Sequence, residues 1–508
     1  MPEKSFRLRK WIKRTSPELV DQAYRASREV QLDLGGTAQL EHETTILKVK
    51  NMIDGKITNP AQKPMYISYA QAIPHILKKY SGVLAAKEVA SHAMKWSSRG
   101  LDTNLLISIA KSFGVDPSPF MAAGAPGKGP PFFVIAAADT PPFLRERADT
   151  ICDGVSDQEE INSAFSFAPT VYLCPGTYVI DGSIVMPSHT RLMGAGPSSV
   201  IKLKDNYNAD IYMIQNSDPT NGNTDITISN LTIDGNWQNQ AEGYIAGIYL
   251  CNVTSSKVES CTLKNTNGAA IYVENSEELE LLENTFLEDF LILWAEKSNH
   301  LTISRNTCAS FGDGFLLSDC HNCVVSENSF KMGWYEAIWI FGTEYAATHN
   351  VISGNRCLNS GYCGIAIDFS SYSVVSENIC ANTLYDGILI YYSENNAVIG
   401  NCCENNAFAG IHAEHAINNL IIGNHCYKNT LYGIYLKKSS YNLISGNIIR
   451  SGGVTGYGIC IDGSECVLNV IEGNNLYQSG TSGDILDSGT DTRRRDNIGN
   501  DGSWLEDA

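Results

Sequence analysis

Five side chains in the middle and later parts of the chain have the types and spacing for acid–base chemistry. Asp368 and Glu414 are 46 residues apart, and His412 lies two residues before Glu414. Asp313 and Asp386 each stand directly before a glycine. Two carboxylates can hydrolyse a glycosidic bond, with retention when they are about 5 Å apart and with inversion at about 6.5–9.5 Å. We therefore predict Asp368, Glu414, His412, Asp386 and Asp313 as candidate catalytic residues.

A second group combines aromatic rings with charged side chains. Aromatic rings stack on the apolar faces of sugars, and carboxylates accept hydrogen bonds from hydroxyl groups, so this mixture predicts a saccharide-binding surface. The alternative is that a neighbouring subunit or the insertion at residues 334–349 covers the same rings. The residues of this group are Tyr272, Glu274, Trp294, Glu296, Trp339, Tyr391, Tyr435 and Lys437.

Both groups are positioned by a repeat of about 23 residues. The steps between successive copies of a recurrent asparagine are 22, 22, 27, 23, 23, 23, 23 and 27 residues. A unit of three short strands cannot fold alone, whereas stacked units about 4.8 Å apart pair every backbone group with the coil above and below. The sequence therefore predicts a single-stranded parallel β-helix of about 10–12 coils. The recurrent asparagines are Asn284, Asn306, Asn328, Asn355, Asn378, Asn401, Asn424, Asn447 and Asn474.

Alternation within one strand of each unit indicates which side chains face outward. Ile365 is predicted to point into the core, so Asp368 points out. Carried along the stack, this register places Glu274 and Glu296 one coil apart, roughly 5 Å. It places Asp368 and Glu414 two coils apart, roughly 10 Å, and side-chain angles can bring that pair into the inverting range.

The same alignment predicts two columns of side chains inside the β-helix. The recurrent asparagine is predicted to form a structural hydrogen-bonded ladder and to have no catalytic role. Two residues after it stand cysteine, phenylalanine, isoleucine or leucine, so that position faces the core. We predict buried free thiols there, which are typical of synthesis in a reducing cytoplasm, and no zinc site because the histidines do not share the column. These cysteines are Cys308, Cys357, Cys380, Cys403 and Cys426.

Composition divides the chain into segments. Residues 1–115 are predicted to form an α-helical docking or oligomerisation domain, with 18 Lys and Arg against 10 Asp and Glu. Residues 116–131 are a predicted Pro/Gly linker. Residues 132–200 are predicted to start the β-helix with a capping helix at 157–167, residues 201–490 to complete it, and residues 491–508 to form a tail. The chain after residue 115 has 19 basic against 45 acidic residues, which argues against nucleic acid as a ligand.

Targeting and cofactor signals are missing from the sequence. No run of eighteen apolar residues predicts a membrane span, and no apolar core follows the basic N-terminal stretch to make a secretory signal. Glycine-rich aspartate repeats that bind calcium are absent. We predict neither a cofactor nor a metal site.

Three motifs near the start of the repeat region resemble the opening of the pectate-lyase-like β-helix proteins. They are Asp153-Gly-Val-Ser-Asp-Gln-Glu-Glu-Ile-Asn162, Val171-Tyr-Leu-Cys-Pro-Gly-Thr-Tyr178 and Thr190-Arg-Leu-Met-Gly-Ala-Gly196. The resemblance covers residues 149–489 and implies a right-handed β-helix with a helix capping its first coil. It does not imply one chemistry, because that superfamily includes polysaccharide lyases, glycoside hydrolases, epimerases, phage tailspikes and binding repeats.

The sequence leaves three hypotheses for function. The leading one is a homotrimeric tailspike or fibre located on a virion, whose N-terminal helices dock to the particle and tail proteins. In this hypothesis the β-helix either binds a cell-surface polysaccharide or binds and cleaves it. The second is a freestanding polysaccharide lyase, glycoside hydrolase or epimerase. The third is a structural or capsid-decorating protein without a ligand. Whether the protein is an enzyme stays open.

Overall fold

The computed structural model describes residues 132–343, 346–450, 456–499 and 501–505, together with Val89, Leu106 and residues 109–111. The predicted helical domain at 1–115 and the predicted linker at 116–131 therefore lie outside the described residues, apart from those isolated positions. Among the described residues, no helix is long and apolar enough to cross a membrane.

Three parallel sheets line the described chain, because successive coils add one strand after another to each sheet. Sheet A has 17 strands, sheet B has 12 and sheet C has 13, so the predicted parallel β-helix is confirmed and is slightly longer than the 10–12 coils predicted. A two-stranded pairing joins Ala347–Thr348 to Ser370–Ser371. Among the described residues from 132 onward, the helices are short: Pro142–Arg145, Gln158–Ala164 and the 3-10 turn Trp237–Asn239.

The strand bounds follow the repeat. Sheet A comprises Phe132–Ala136, Thr150–Ile151, Thr170–Leu173, Arg191–Gly194, Asn223–Thr224, Thr227–Ser229, Val253–Glu259, Glu277–Leu282, Thr302–Ser304, Val324–Ser326, Val351–Ser353, Val374–Ser376, Ala397–Ile399, Leu420–Ile422, Leu443–Ser445, Val470–Glu472 and Arg493–Arg495. Sheet B comprises Gly176–Ile180, Ser199–Leu203, Thr232–Asp234, Thr262–Lys264, Thr285–Leu287, Thr307–Phe311, Ser329–Gly333, Arg356–Leu358, Ile379–Ala381, Cys402–Glu404, His425–Tyr427 and Ile448–Arg450. Sheet C comprises Ile184–Met186, Ile211–Asn216, Ile245–Cys251, Ala269–Glu274, Leu291–Glu296, Asp313–Ser318, Ile338–Phe341, Ile365–Asp368, Ile388–Tyr391, Ala409–Glu414, Tyr432–Lys437, Tyr457–Asp462 and Gly483–Asp487.

The predicted asparagine ladder is confirmed at the corner between sheets A and B. From Asn284 to Asn497, each side-chain amide nitrogen donates to the amide oxygen of the asparagine one coil further on, at 2.9–3.1 Å. The same nitrogen also donates to a backbone carbonyl, such as that of Val398 for Asn424. The ladder thus satisfies polar groups that the corners would otherwise bury unpaired.

Two further ladders stabilise the other corners and were not predicted. One runs through Asn419, Asn442 and Asn469, whose amide groups are joined at 3.1 Å. The other joins Asn406 to Asn429 at 2.9 Å. All of these side chains are buried.

The predicted packing of the cysteines is confirmed. All fifteen are free thiols, and only Cys402 is partly exposed. In the column of Cys308, Cys357 and Cys380, the aromatic rings of Phe286 and Phe330 are equally buried. The thiols therefore fill core space as small apolar groups.

Candidate functional site

The outer face of sheet C carries two columns of side chains in the predicted register. Strand pairing places one residue of each column in every coil. The first column contains Tyr272, Trp294, Leu316, Trp339, Ala366, Leu389, His412, Tyr435 and Cys460. The second contains Glu274, Glu296, Ser318, Phe341, Asp368, Tyr391, Glu414, Lys437 and Asp462.

An aromatic stack covers the early coils of this face. The rings of Tyr249, Tyr272 and Trp294 follow one another with centroids 5.1 and 5.2 Å apart. The Tyr249 hydroxyl donates to Glu274 at 2.9 Å, and the Tyr272 hydroxyl donates to Glu296 at 3.4 Å. Glu274 and Glu296 are therefore hydrogen-bonded to the rings beside them, one coil apart.

Two ladders of parallel rings border the later coils. The first ladder is Tyr362, Tyr385 and Phe408, with centroids 4.9 and 5.1 Å apart and planes within 5°. It lies in the turns that lead into the sheet C strands.

The second ladder is Phe369, Tyr392 and His415, with centroids 5.1 and 4.2 Å apart and planes at 9°. Its members follow the strands and all have positive φ. Tyr392 is 42% exposed. We call the part of the outer face between the two ladders the trough.

The floor of the trough contains a chain of ionisable groups. The imidazole Nδ1 of His412 lies 2.9 Å from an oxygen of Asp386, and its Nε2 lies 3.9 Å from Glu414. The other Glu414 oxygen pairs with Lys437 at 2.9 Å. Asp386 and His412 are buried, whereas Lys437 is exposed at its end, so the chain runs from the interior to the surface.

Ring contacts hold this floor in place. Phe408 of the first ladder packs against His412 and Tyr435, with centroids 5.5 Å away in each case. On the other side, Tyr391 meets the ring of Tyr392 edge-on at 4.6 Å. The walls therefore fix the orientation of the polar groups between them.

Burial dominates the electrostatics of the trough. Burial raises the pKa of Asp386, and the hydrogen bond from His412 opposes that rise. Burial also raises the pKa of Tyr435, followed by its 2.6 Å hydrogen bond to Asp462. The hydrogen bond to Glu414 raises the pKa of Lys437, which favours its charged form.

The structure brings together only part of the predicted catalytic set. Asp386, His412 and Glu414 belong to the chain of ionisable groups in the floor. Asp368 lies two coils from Glu414, with Tyr391 between them, and is 9% exposed.

Asp313 is the remaining member of that set and is not part of the group. It is buried three coils away from Asp386, and burial, followed by the charge of Glu336, raises its pKa well above its ordinary range.

The predicted binding residues divide between two places. Tyr272, Glu274, Trp294 and Glu296 belong to the early aromatic stack, and Trp339 stacks on Phe341 with centroids 4.3 Å apart. The other predicted binding residues, which lie in the trough, are Tyr391, Tyr435 and Lys437.

The six wall residues were not predicted, because they lie in turns outside the period-2 register. Their recurrence at 23-residue spacing is the signal that would have found them.

One group of potential metal ligands occurs among the described residues, at the capping helix. One ligand atom each of Cys152, Asp157 and Glu160 lies within 4.8 Å of the others. The two Asp157 oxygens accept backbone N–H groups of Gly154 and Val179 at 2.9 and 2.7 Å. Asp157 therefore ties the start of the capping helix to sheet B. Burial raises the pKa of the Cys152 thiol well above its ordinary value, which disfavours the thiolate that a metal ion would need.

Family models match three overlapping or adjoining parts of the chain. The model described as "Rhamnogalacturonase A/epimerase, pectate lyase-like" matches residues 152–338. "Periplasmic copper-binding protein (NosD)" matches residues 288–430, and "Right handed beta helix region" matches residues 409–498.

Two curated relatives match over a short segment. The chain is 33% identical over 115 residues to the pre-neck appendage protein of Bacillus phage phi29, and 32% identical over 111 residues to the preneck appendage protein of Bacillus phage PZA. Each match covers 22% of this chain and 13% of the relative, so this chain matches about an eighth of their length.

Solved structures share the fold at low identity. Tailspike protein 3 of bacteriophage CBA120 has a TM-score of 0.53 at 14% identity, over 69% of this chain and 59% of its own. The pre-mature gene product 12 of bacteriophage phi29 has a TM-score of 0.54 at 18% identity, over 68% and 56%. The A-module of the Azotobacter vinelandii mannuronan C-5 epimerase AlgE6 has a TM-score of 0.50 at 17% identity, over 68% and 95%. The β-helix of this chain is therefore similar to the pectate-lyase-like right-handed parallel β-helices, whose family models match residues 152–338 and 409–498.

Proposed function

We propose that the trough binds an extended polysaccharide and that the chain is a virion appendage of the tailspike or fibre type. The observation that carries the binding proposal is the pair of ring ladders on either side of a row of hydrogen-bonding groups. Because the rings of each ladder stack on one another, they present their edges to the trough at equivalent positions in three successive coils. Apolar walls that repeat along the axis suit a polymer better than a small molecule.

The charge of the trough favours one class of polysaccharide. Acidic groups outnumber basic ones in and beside the trough, and Lys437 is already paired with Glu414. A polyuronate would bring further carboxylates next to Asp368 and Asp462, at an electrostatic cost. We therefore propose a glycan that is neutral or carries amino groups.

The proposal of a virion appendage draws on the comparisons. The appendage proteins of two Bacillus phages match in sequence, although over a short segment, and a phage tailspike shares the fold. Residues 1–115, with their excess of basic side chains, are the proposed docking segment. Mass spectrometry of purified virions from the source would detect the chain if this is correct, and virions that lack it would contradict the proposal.

Affinity electrophoresis of the full chain tests the glycan proposal. Gels that contain dextran, chitosan or polygalacturonate serve as the panel. We expect retardation by a neutral or amino-bearing polymer and none by polygalacturonate. Retardation by polygalacturonate alone would refute the proposed charge class, and mobility unchanged across a broad panel of glycans would refute binding.

A matched pair of variants locates the binding surface. Tyr392 in the trough and Tyr477 outside it are 42% and 41% exposed. Tyr392→Ala is expected to weaken retardation at least tenfold because the middle ring of one wall is lost, whereas Tyr477→Ala should bind like the wild type. Equal behaviour of the two variants would exclude the trough as the site.

A second candidate function, cleavage of the bound glycan, rests on the Asp386–His412 pair. A buried carboxylate that holds an imidazole by Nδ1 orients its Nε2 toward Glu414, as a general acid–base pair requires. The test is release of reducing ends from the polymer that binds. Glu414→Gln and His412→Gln should abolish release and leave retardation, whereas activity that survives both changes would exclude this site.

A further inference from the structure

A Cys-x-x-Cys sequence forms the corner between sheet C and sheet A in one coil of the β-helix. Cys320 follows the sheet C strand Asp313–Ser318, and Cys323 directly precedes the sheet A strand Val324–Ser326. Both thiols are fully buried, whereas Asn322 between them is exposed. The same spacing occurs in protein sites that alternate between two thiols and one disulfide.

The corner brings the two side chains together. Those of Cys320 and Cys323 are hydrogen-bonded to each other. Two coils further on, strand pairing places Ser370 and Ser373 at the same two corner positions, and their hydroxyl oxygens lie 3.1 Å apart. The backbone of this corner therefore directs two side chains, three residues apart, toward each other in more than one coil.

The next coil holds the backbone of the corner in place. The N–H of Asn322 donates to the carbonyl oxygen of Thr348, and the N–H of Cys323 donates to the side-chain oxygen of Asn350, each at 3.0 Å. The imidazole Nδ1 of His321 lies 2.9 Å from the Thr348 hydroxyl. The thiols themselves make only weak hydrogen bonds, 3.3–3.8 Å long, to carbonyl oxygens. Oxidation of the thiols therefore leaves the stronger contacts intact.

The buried cysteines of sheet B lie in a different geometry. Strand pairing places four of them opposite one another on neighbouring parallel strands: Cys357, Cys380, Cys403 and Cys426. The spacing of strands, about 4.8 Å, also separates their Cβ atoms, whereas a disulfide requires a Cβ separation of about 3.8 Å. A disulfide within this column would have to deform the sheet. Two residues of one corner are not subject to that spacing.

We propose that Cys320 and Cys323 form a site of reversible oxidation, at which hydrogen peroxide converts the two thiols to one disulfide. Peroxide first oxidises one sulfur to a sulfenic acid and releases one water molecule. The other sulfur then forms the S–S bond and displaces the hydroxyl group as a second water molecule. The two thiols lose two hydrogen atoms in total, and one peroxide is reduced to two water molecules. The disulfide links the end of a sheet C strand to the start of the next sheet A strand.

Burial determines which oxidant reaches the pair and how fast it reacts. Both side chains are 0% exposed, which disfavours bulky oxidants such as glutathione disulfide, whereas hydrogen peroxide is close to water in size. The hydrogen bond with Cys323, followed by burial, raises the pKa of the Cys320 thiol well above its ordinary value. Because the thiolate is the reactive form, the pair reacts slowly at neutral pH and stays reduced until peroxide accumulates.

Thiol counting before and after peroxide treatment tests the proposal. The parent protein is the full chain with Cys402→Ser, which removes the one partly exposed thiol of the fifteen. It is folded in reductant, desalted, incubated overnight with hydrogen peroxide, then denatured and labelled with maleimide. We expect fourteen thiols before the treatment, twelve after it and fourteen again after dithiothreitol. Peptide mapping should locate the loss of two hydrogen atoms in the peptide that contains Cys320 and Cys323.

The matched control adds Cys320→Ser and Cys323→Ser to the parent protein. Serine already occupies both corner positions at Ser370 and Ser373, so this variant should fold, which circular dichroism checks. It should show twelve thiols both before and after peroxide. Four outcomes would overturn the proposal: an unchanged count of fourteen in the parent, a sulfinic acid at either cysteine, a disulfide within the sheet B column, or the same loss of thiols in the control.

Discussion

The columns inside the β-helix and the columns on the outer face of sheet C obey opposite rules. Inside, one corner position is asparagine in every coil from Asn284 to Asn497. Outside, the column of Asp368, Tyr391, Glu414 and Lys437 changes its residue at each step. A side chain at a buried position must form the same hydrogen bonds in every coil, whereas a side chain at an outer position does not have to. Stability is therefore concentrated in the repeated columns, and specific chemistry in the varied ones.

Removal of an interior amide should have the largest effect on stability. Asn424 accepts from the backbone and side chain of Asn401, and donates to Val398 and Asn447. Asn424→Ala leaves these groups buried without partners and should lower the free energy of unfolding by about 4 kcal/mol. Urea unfolding followed by circular dichroism measures the change. The control is Asn405→Ala, a change at an exposed asparagine, which should lower the free energy of unfolding by about 1 kcal/mol. Equal losses in the two variants would contradict the conclusion that stability is concentrated in the buried columns.

The second-largest effect on stability is expected from a carboxylate in an interior column. Asp289 occupies the corner position that asparagine holds at Asn406 and Asn429, and one of its oxygens accepts both hydrogen bonds from Thr266. Burial, opposed by these hydrogen bonds, raises the pKa of Asp289 from 3.8 to about 7.

The folded protein therefore keeps a proton that the unfolded chain releases. The resulting stability is present below pH 4 and is lost as the pH rises through 7. Asp289→Asn should remove this decline and raise the free energy of unfolding at pH 8 by about 3 kcal/mol. Urea unfolding at pH 5 and pH 8 measures it, and a variant as pH-dependent as the wild type would refute the assignment.

An outer-face ion pair should matter far less. Lys437 is 41% exposed and pairs with Glu414 at 2.9 Å. Lys437→Gln should change the free energy of unfolding by less than about 1 kcal/mol, because solvent screens exposed pairs. The same urea titration measures the change. A loss of free energy of unfolding as large as that of Asn424→Ala would show that outer and inner columns contribute equally to stability.

Thiol labelling should distinguish buried from exposed positions without changing the stability of the protein. Fourteen cysteines are buried, and burial raises the pKa of thiols such as Cys308 well above the ordinary value. Maleimide at pH 8 should modify about one thiol, Cys402, in the native protein and all fifteen in denaturant. Rapid labelling of several native thiols would show that the core is more accessible than described.

The sequence predicts the interior well because one period governs it. The spacing of Asn355, Asn378 and Asn401 sufficed to place the ladder, and the cysteines two residues later followed from it. The asparagine ladder at the corner between sheets C and A was also predictable from the sequence. Its members Asn419 and Asn442 stand five residues before Asn424 and Asn447 of the first asparagine ladder.

The sequence predicts the trough less well because local geometry interrupts the alternation. Gly387 and Ile388 both face the core, so Asp386 returns to the outer side and reaches His412 in the next coil. The wall residue Tyr392 has φ of 45°, a turn conformation that alternation does not describe. The pairing of Asp386 with His412 therefore required coordinates.

A crystal structure of the full chain with an oligosaccharide of the polymer that retards it tests the central claim most directly. We expect sugar rings seated between the ring edges of Tyr392 and Tyr385, with hydroxyl or amino groups in contact with Glu414. Sugar bound on sheet A or sheet B, with the trough empty, would contradict it.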